Sequence, residues 1–186
     1  MSHSYSTRKF INEDGKHYAK LIASFNENKY EDIDDMISKI KSSLNIKDKN
    51  IIFPEDYFEE VKLNGITSFV FKGILSYQPT HCEHCGTLFD SNFKKHGFKT
   101  SRIIIPKVSL HDTYLVLKKQ RYYCGHCQST FTLKTSIVEK NCYISYNTKH
   151  AIALEAQNKI SECDIARRHQ VSHSTVNRII HSFYES

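Results

Sequence analysis

The spacing of apolar residues predicts two helices in the first fifty residues. In both segments apolar side chains recur at i, i+3, i+4 and i+7, the spacing of one helix face. The first set is Tyr18, Leu21, Ile22 and Phe25, and the second is Ile33, Met36, Ile37, Ile40 and Leu44. The second segment begins with acidic residues and ends near Lys39 and Lys41, an order that suits the helix dipole. We expect its apolar face to pack inside the protein rather than to bind a partner.

The pattern becomes typical of strands in the middle of the chain. β-Prone residues dominate from Val61 to Tyr77, interrupted by Gly65 and Gly73, and they predict a strand or a hairpin. Further short apolar runs bounded by polar turns predict a small antiparallel sheet. These runs are Ile103–Ile105, Tyr114–Leu117 and Phe131–Leu133.

A helical pattern returns near the end of the chain. The segment from Thr148 to Lys159 predicts a first helix. Ser161 followed by Asp164 resembles a capping box, which starts a short second helix with Ile165 and Ala166 facing inward. Ser172 is placed to cap a third helix, whose apolar face is Val176, Ile179, Ile180 and Phe183. Helices joined in this way are typical of a helix-turn-helix.

The composition indicates a soluble protein built from small modules. The chain has 186 residues, of which 39% are hydrophobic and 25% charged, and it contains no Trp. No apolar run reaches the roughly 18 residues of a membrane span, and the first residues lack the apolar segment of a secretory signal. We therefore expect a cytoplasmic protein with no membrane partner. In that compartment thiols are reduced, so paired cysteines favour metal binding over disulfides.

Two C-x-x-C pairs predict a metal site. Cys82 and Cys85 form the first pair and Cys124 and Cys127 the second, with 38 residues between them. Four thiolates suit tetrahedral zinc, and a site filled by four protein ligands is closed. We therefore predict one structural Zn²⁺ per chain. The remaining candidates for a ligand are not expected to bind this metal, and they are His84, His126, Cys142 and Cys163.

Redox chemistry is the alternative interpretation of the second pair. Cys124-Gly125-His126-Cys127 matches the active-site tetrapeptide of disulfide isomerases. Such a motif needs its first cysteine at a helix N-terminus, where the dipole lowers the thiol pKa. The residues that follow, Gln128 to Thr132, are typical of a strand. Spacing and context favour zinc, and a thiol oxidoreductase using Cys124 and Cys127 remains the alternative.

The charge distribution predicts that double-stranded DNA is the partner. Residues 1–80 carry 11 Lys and Arg against 12 Asp and Glu, whereas residues 81–186 carry 15 against 8. A basic half that contains a helix-turn-helix favours nucleic acid over a helical bundle that packs on a protein. The third helix is expected to read base edges through Ser172, His173, Ser174, Thr175, Asn177 and Arg178. The residues expected to contact phosphates are Arg167, Arg168, Lys118, Lys119 and Arg121.

Two residues of the predicted turn depart from the usual pattern. His169 stands where this motif usually has an apolar residue. Gln170 stands where Gly or Asn would adopt a positive φ at lower cost. We therefore expect a looser turn and weaker DNA affinity than the motif usually gives.

The order of these motifs resembles the N-terminal part of bacterial insertion-sequence transposases of the ISL-three type. The resemblance covers roughly residues 44–186 and is carried by the two cysteine pairs and by four further stretches. These are Gly97–Arg102, Arg121–Cys124, Phe131–Thr135 and Val171–Arg178. It implies a DNA-binding protein that recognises the terminal inverted repeats of an insertion element.

The same family carries a catalytic domain with an RNase H-like fold and a DDE carboxylate triad after the helix-turn-helix. Glu155, Glu162 and Asp164 lack the context of such a triad, so no catalytic residue is assigned. We therefore expect a truncated gene product that binds DNA without strand-transfer activity. A standalone zinc-containing regulator is the alternative within the DNA-binding class.

These inferences together predict an α+β chain. It would contain N-terminal helices, a small zinc-ribbon-like β module and a C-terminal three-helix helix-turn-helix. The predicted divisions are a helical segment 1–50, a β-prone connector 51–80, a zinc module 81–136, a linker 137–146 and a DNA-binding domain 147–186. A homodimer or a full-length transposase is the expected protein partner, and association with the nucleoid is expected in the cytoplasm.

Overall fold

The computed structural model describes Asp35, residues 37–63 and residues 65–184 of the chain. The first predicted helix, from Tyr18 to Phe25, lies outside the described residues, as do Ile33 and Met36 of the second. Residues 37–43 of the second are helical and are called α1. The residues from Ser42 onward group into one compact unit, which is described by itself below.

This unit is a mixed α+β structure. Its strands are β1 (Ile51–Ile52), β2 (Phe58–Leu63), β3 (Ile66–Leu75), β4 (Phe93–Val108), β5 (His111–Cys124) and β6 (Ser129–Thr132). Its later helices are α2 (Tyr146–Glu155), α3 (Glu162–His169) and α4 (His173–Tyr184).

The strands of the described residues form one six-stranded sheet in the order β1-β3-β5-β4, with β2 added to β3 and β6 added to β5. β2 and β3 form an antiparallel hairpin, as predicted for this stretch. β4 and β5 form a second, much longer hairpin. The 38 residues between the cysteine pairs therefore consist mostly of two long paired strands.

The predicted antiparallel sheet is confirmed for β4, β5 and β6, but the sequence did not predict that a parallel strand joins it. β3 and β5 run parallel, from Ser68 opposite Asp112 to Leu75 opposite Lys119. The chain between them passes through the first cysteine pair and β4, so β5 returns in the direction of β3. Such a crossover leaves no local turn signal comparable to that of a hairpin. Strands predicted to lie outside the zinc module thus share a sheet with it.

The core of the sheet lies where β3, β4 and β5 meet. Leu75, Ile103, Leu115 and Leu117 are fully buried there. Gly73 allows the strands to approach, because a Cβ at this position would lie 3.2 Å from Ile51 Cγ2 and 3.3 Å from Leu117 Cδ1.

The C-terminal helices have their own apolar core. Ile152 of α2, Ile165 of α3 and Val176 of α4 are fully buried against one another, and Ala166 faces inward as predicted. α2 begins earlier than predicted, because Ser145 accepts a hydrogen bond from the Thr148 amide at 3.2 Å and caps it. It also ends earlier than predicted, at Glu155.

The segment 137–146, predicted as a polar linker, lies against the edge of β4. The Ile104 amide donates to the Tyr143 carbonyl at 2.7 Å, and the Ser145 amide donates to the Ile104 carbonyl at 3.0 Å. Ile137 and Val138 are buried. The segment attaches here because the edge strand β4 has backbone groups that need hydrogen-bond partners. The two apolar residues of the segment add buried contacts.

The turn between α3 and α4 contains both unusual residues. Gln170 adopts a left-handed conformation with φ 55° and ψ 40°, as its position predicts. The Tyr114 hydroxyl of β5 donates to Gln170 Oε1, which ties the turn to the sheet. His169 Nε2 lies 3.1 Å from Glu155 Oε1, and its side chain is 12% exposed. A polar pair therefore occupies the place of an apolar contact.

Candidate metal centre and nucleic-acid interface

The four paired cysteines lie together at one end of the sheet. Cys124 ends β5 and is fully buried, while Cys82 is 1% exposed. Cys82 Sγ lies 3.7 Å from Cys127 Sγ, and Cys85 Sγ lies 3.8 Å from Cys124 Sγ. All four sulfur atoms lie within 4.8 Å of one another. Each pair therefore contributes to one cluster, as the spacing predicts.

The dimensions of this cluster fit a tetrahedral zinc site. Zn–S bonds of about 2.3 Å in a tetrahedron place the sulfur atoms about 3.8 Å apart. The two short sulfur–sulfur distances, 3.7 Å and 3.8 Å, have this value. Four thiolates fill every coordination position, so the site suits one structural Zn²⁺ held by Cys82, Cys85, Cys124 and Cys127.

Local backbone contacts form the two knuckles that present these sulfur atoms. In the first, the Cys82 amide donates to the Thr87 carbonyl at 2.8 Å, and the Gly86 amide donates to the Cys82 carbonyl at 3.0 Å. In the second, the Gly125 amide donates to the Asn92 carbonyl at 3.0 Å. A Cβ on Gly125 would lie only 3.0 Å from that carbonyl oxygen, so the close contact favours glycine.

The two histidines of the knuckles bond elsewhere, in agreement with a four-cysteine site. His126 Nε2 lies 2.8 Å from Asp90 Oδ2. His84 Nε2 lies 3.3 Å from the Thr130 carbonyl oxygen of β6. These contacts fix the knuckles to neighbouring segments, which is how groups around a metal site orient its ligands.

The thiols differ in acidity when no metal holds them. Hydrogen bonding with Thr87 lowers the pKa of Cys85 to about 6. Burial raises the pKa of Cys127 to about 11. At neutral pH the Cys127 thiol keeps its proton until a metal replaces it, so metal binding releases protons here.

The redox interpretation of Cys124 and Cys127 is not favoured by this geometry. Cys124 ends a strand, and Ser129 begins another strand three positions after His126. The helix N-terminus that would lower the pKa of the first thiol is therefore replaced by a turn. Each of the two cysteines instead lies beside a sulfur of the first pair.

The predicted recognition helix is α4, and most of its predicted contact residues lie on the surface. Val176 and Ile179 are buried, and the Thr175 amide donates to the Ser172 hydroxyl at 3.2 Å, which caps the helix as predicted. Four predicted base-reading residues are exposed and two are half-buried. The exposed ones are Ser172, His173, Ser174 and Arg178, and the half-buried ones are Thr175 and Asn177.

Carboxylates of the unit contact several of these predicted DNA-binding residues. Glu162 Oε2 lies 3.1 Å from His173 Nε2 and 3.4 Å from Asn177 Nδ2. Arg167 pairs with Asp164 at 3.1 Å, and Arg168 pairs with Glu155 at 3.5 Å. Sequence reasoning missed these contacts of Glu162, because its position in α3 indicates only a favourable charge at a helix start.

The three basic residues predicted on β5 do not form one edge. Alternate residues of a strand point to opposite faces, so Lys118 lies on one face and Lys119 and Arg121 on the other. Lys118 is exposed, whereas Lys119 and Arg121 are half-buried. Lys119 and Arg121 line a cavity together with Lys99 of β4.

Within the described part of the chain, no helix combines the length and the apolar character that crossing a membrane requires.

Comparison with known families agrees with the geometry of both sites. Residues 78–127 match the family model described as zinc-finger of transposase IS204/IS1001/IS1096/IS1165. Residues 133–184 match the model described as helix-turn-helix domain of transposase family ISL3. No curated protein and no solved structure matches the chain.

The two matches cover the sulfur cluster and the helices α2 to α4, in the order in which the chain presents them. The first match includes all four cysteines of the cluster, and the second includes α2, α3 and α4. The chain therefore belongs to the ISL3 family of transposases and contains the zinc-binding and helix-turn-helix, DNA-binding N-terminal portion of such an enzyme.

Proposed function

We propose that this chain recognises the terminal inverted repeats of an insertion element through a three-helix helix-turn-helix formed by α2, α3 and α4. The observation that carries the proposal is the division of α4 into two faces. Val176 and Ile179 are buried against the other helices, and Arg178, His173 and Ser174 are exposed. A helix held in this way can enter the major groove with its N-terminal residues against base edges.

The residues of α4 have different tasks in this proposal. Arg178 donates two hydrogen bonds to a guanine, and Asn177 can pair with an adenine. The short side chains of Ser172, Ser174 and Thr175 let the helix approach the base edges, and His173 adds a further donor. Each well-formed bidentate contact discriminates against a wrong base by about 1–3 kcal/mol.

The basic residues outside α4 are proposed to hold the phosphate backbone. Arg167 and Arg168 precede the turn and are exposed, with side chains 80% and 56% accessible. The ion pair of Arg167 with Asp164 is exposed enough to contribute little stability, so its exchange for a phosphate costs little. The Glu155 oxygen that Arg168 contacts is buried, so releasing Arg168 to a phosphate costs more. Lys118, Lys119 and Arg121 would contact phosphates from the two faces of β5.

The metal site serves the interface as a brace. When bound, the ion supplies four Zn–S bonds that join the first knuckle to the end of β5. Cys82 and Cys85 would then hold the segment before β4 against Cys124 and Cys127, and the hairpin keeps its register. Because Tyr114 of the same β5 contacts Gln170, the sheet in turn supports the turn before α4.

The divisions at residues 50, 80, 136 and 146 stay part of the proposal, as do a protein partner and a place on the nucleoid. A homodimer would match a pair of half-sites, since two-fold proteins bind two-fold DNA. A full-length transposase would instead form a mixed assembly at the same repeat. Sedimentation of the chain with and without its DNA distinguishes these states.

The test compares three labelled duplexes by fluorescence anisotropy at several salt concentrations. They carry the terminal repeats of the encoding element, the promoter of that element, and a shuffled repeat. We expect the repeats to bind at least about 10³-fold more tightly than shuffled DNA at physiological salt. Equal affinity for all three would overturn the proposal, and preference for the promoter would favour a regulator.

A further inference from the structure

Beside the metal centre, one face of the sheet carries a basic cavity that no residue of α2, α3 or α4 lines, and it includes Lys119 and Arg121, which were proposed above to contact phosphates. Its volume is about 240 Å³, and its floor includes Lys99 and Ser101 of β4 and Lys119 and Arg121 of β5. This volume lies below the roughly 300–1,000 Å³ of sites for drug-sized ligands. The cavity therefore suits a small ligand.

The charges of the floor are not balanced by carboxylates. Glu83 lines the cavity but pairs with Lys134 at 3.2 Å and with Lys140 at 3.7 Å. Glu139, at the rim, pairs with Lys149 at 2.8 Å. Within the described part of the chain, no carboxylate forms an ion pair with Lys99, Lys119 or Arg121. A net positive charge remains in a concave site, which concentrates anions there.

The two lysines of the floor lie opposite each other on neighbouring strands. Lys99 and Lys119 are direct partners in the β4–β5 ladder, and like charges directly opposite destabilise a sheet. Burial, together with the charge of Lys99, lowers the pKa of Lys119. The arrangement carries an energetic cost that the fold itself does not require. An anion between the two ammonium groups would remove this cost.

The walls of the cavity are fixed by contacts that do not involve these cations. Asp48 accepts a hydrogen bond from the Thr135 hydroxyl at 2.6 Å and another from the Ser136 amide at 3.1 Å. Leu133 and Val138 are buried. Hydroxyl donors are also at hand, since Ser101 and Thr130 line the same space. A preformed site with several donors loses little entropy on binding.

We infer that this cavity is a binding site for a phosphate group, with Lys99, Lys119 and Arg121 as the cations that hold it. Arg121 already donates to Thr130 Oγ1 at 3.0 Å, which orients its guanidinium while leaving other N–H groups for a phosphate oxygen. Lys99 and Lys119 add two point charges, and Ser101 adds a hydroxyl. The phosphate group can come from a DNA backbone or from a free phosphate compound. The site itself does not require that α4 recognise an element end.

Inorganic pyrophosphate is the probe that tests the site, with zinc-loaded full-length protein. Its binding is measured by calorimetry and by the rise in melting temperature, against NaCl of equal ionic strength. We expect Lys119→Met to weaken pyrophosphate binding about tenfold or more, because a charge-assisted contact is lost. Lys119→Arg should retain binding. Lys62→Met, which removes an exposed charge on β2, is the matched control and should leave binding unchanged.

The melting temperature without the probe shows whether Lys119 binds a ligand or only stabilises the fold. Without pyrophosphate, Lys119→Met should melt about 2 °C higher than the wild type, because it removes one of two opposed like charges. The same variant should no longer gain stability from the probe. Lys99→Met should behave in the same way, which protects the test against a single poorly folded variant.

Competition between pyrophosphate and a labelled duplex shows whether the phosphate group comes from DNA or from a free compound. If a DNA phosphate occupies the cavity, pyrophosphate weakens duplex binding by the wild type but not by Lys119→Met. If a free phosphate compound occupies it, both ligands bind together. Either result supports the site. No pyrophosphate binding by the wild type, or equal binding by Lys119→Met, overturns it, whatever the duplex preference of α4.

Discussion

Glu162 Oε2 lies 3.1 Å from His173 Nε2, across the turn that joins α3 to α4. The same carboxylate oxygen accepts a hydrogen bond from Asn177 Nδ2 at 3.4 Å. One acidic side chain thus contacts two residues that we propose to meet base edges. It orients them, and it also places a negative charge where DNA phosphates would approach.

Replacing this carboxylate should raise the affinity for DNA and lower the selectivity for sequence. In Glu162→Gln the repulsion from DNA is reduced and the carboxylate contact with His173 is lost. We expect affinity for all duplexes to rise about threefold to tenfold while the ratio between specific and shuffled DNA falls, since charge acts on every sequence alike. Anisotropy titrations measure both. Glu60→Gln, on exposed β2, is the control, and unchanged binding in Glu162→Gln would contradict this role.

Zinc removal should loosen one end of the sheet. With a chelator, or in Cys85→Ser, we expect loss of one zinc per chain and loss of exchange protection at the amides of Cys82, Gly86 and Gly125, whose hydrogen bonds form the knuckles. Acid should release zinc in the same way, because protons compete for the thiolates. Metal analysis and hydrogen exchange provide the measurements.

The matched control for this experiment is Cys163→Ser, since Cys163 is exposed on α3 and lies outside the cluster. It should keep its zinc and its protection pattern. The zinc assignment would be contradicted by a metal-free protein that stays folded and cycles reversibly between a Cys124–Cys127 dithiol and a disulfide. That result would support the oxidoreductase hypothesis.

Arg178 and Arg167 should respond differently to truncation. Arg178→Ala is expected to cost about 1–3 kcal/mol on the preferred repeat and to relax the choice at one base position. Arg167→Ala should weaken binding to all sequences alike. It should also reduce the slope of the logarithm of the binding constant against the logarithm of the salt concentration by about one. Competition with single-base variants of the repeat tells them apart. Equal losses on every duplex for Arg178→Ala would remove it from the base-reading face.

The left-handed turn residue should show coupling to the sheet. Gln170→Gly removes the strain of a non-glycine residue at φ 55°, worth roughly 1 kcal/mol, but it also removes the acceptor for the Tyr114 hydroxyl, worth about the same. We expect little net change in the wild type. In a Tyr114→Phe background the same substitution should stabilise by about 1 kcal/mol.

Urea unfolding of the four proteins in this cycle measures the coupling. Additive effects would show that the turn and the sheet are energetically independent. A matched loss of DNA affinity in Tyr114→Phe would further connect the sheet with the placement of α4.

The sequence by itself determined the chemistry of both sites. Ligand type and spacing are local properties, so the two cysteine pairs indicated zinc before any contact was known. The capping serines at 161 and 172 and the apolar spacing of α3 and α4 are local too, and they located the helix-turn-helix. Even the cost at Gln170 could be predicted, because a turn of this kind constrains one backbone angle.

Only the tertiary structure decided what these elements meet. The parallel pairing of β3 with β5 depends on a crossover, and no neighbouring residues encode it. The pairing of β4 with β5 also places Lys119 opposite Lys99. Lys118, one residue earlier, lies on the other face of the sheet. The contact of Glu162 with His173 joins two helices. Long-range contacts of this kind are selected by the packing of the whole unit, because many alternative partners satisfy the same local pattern.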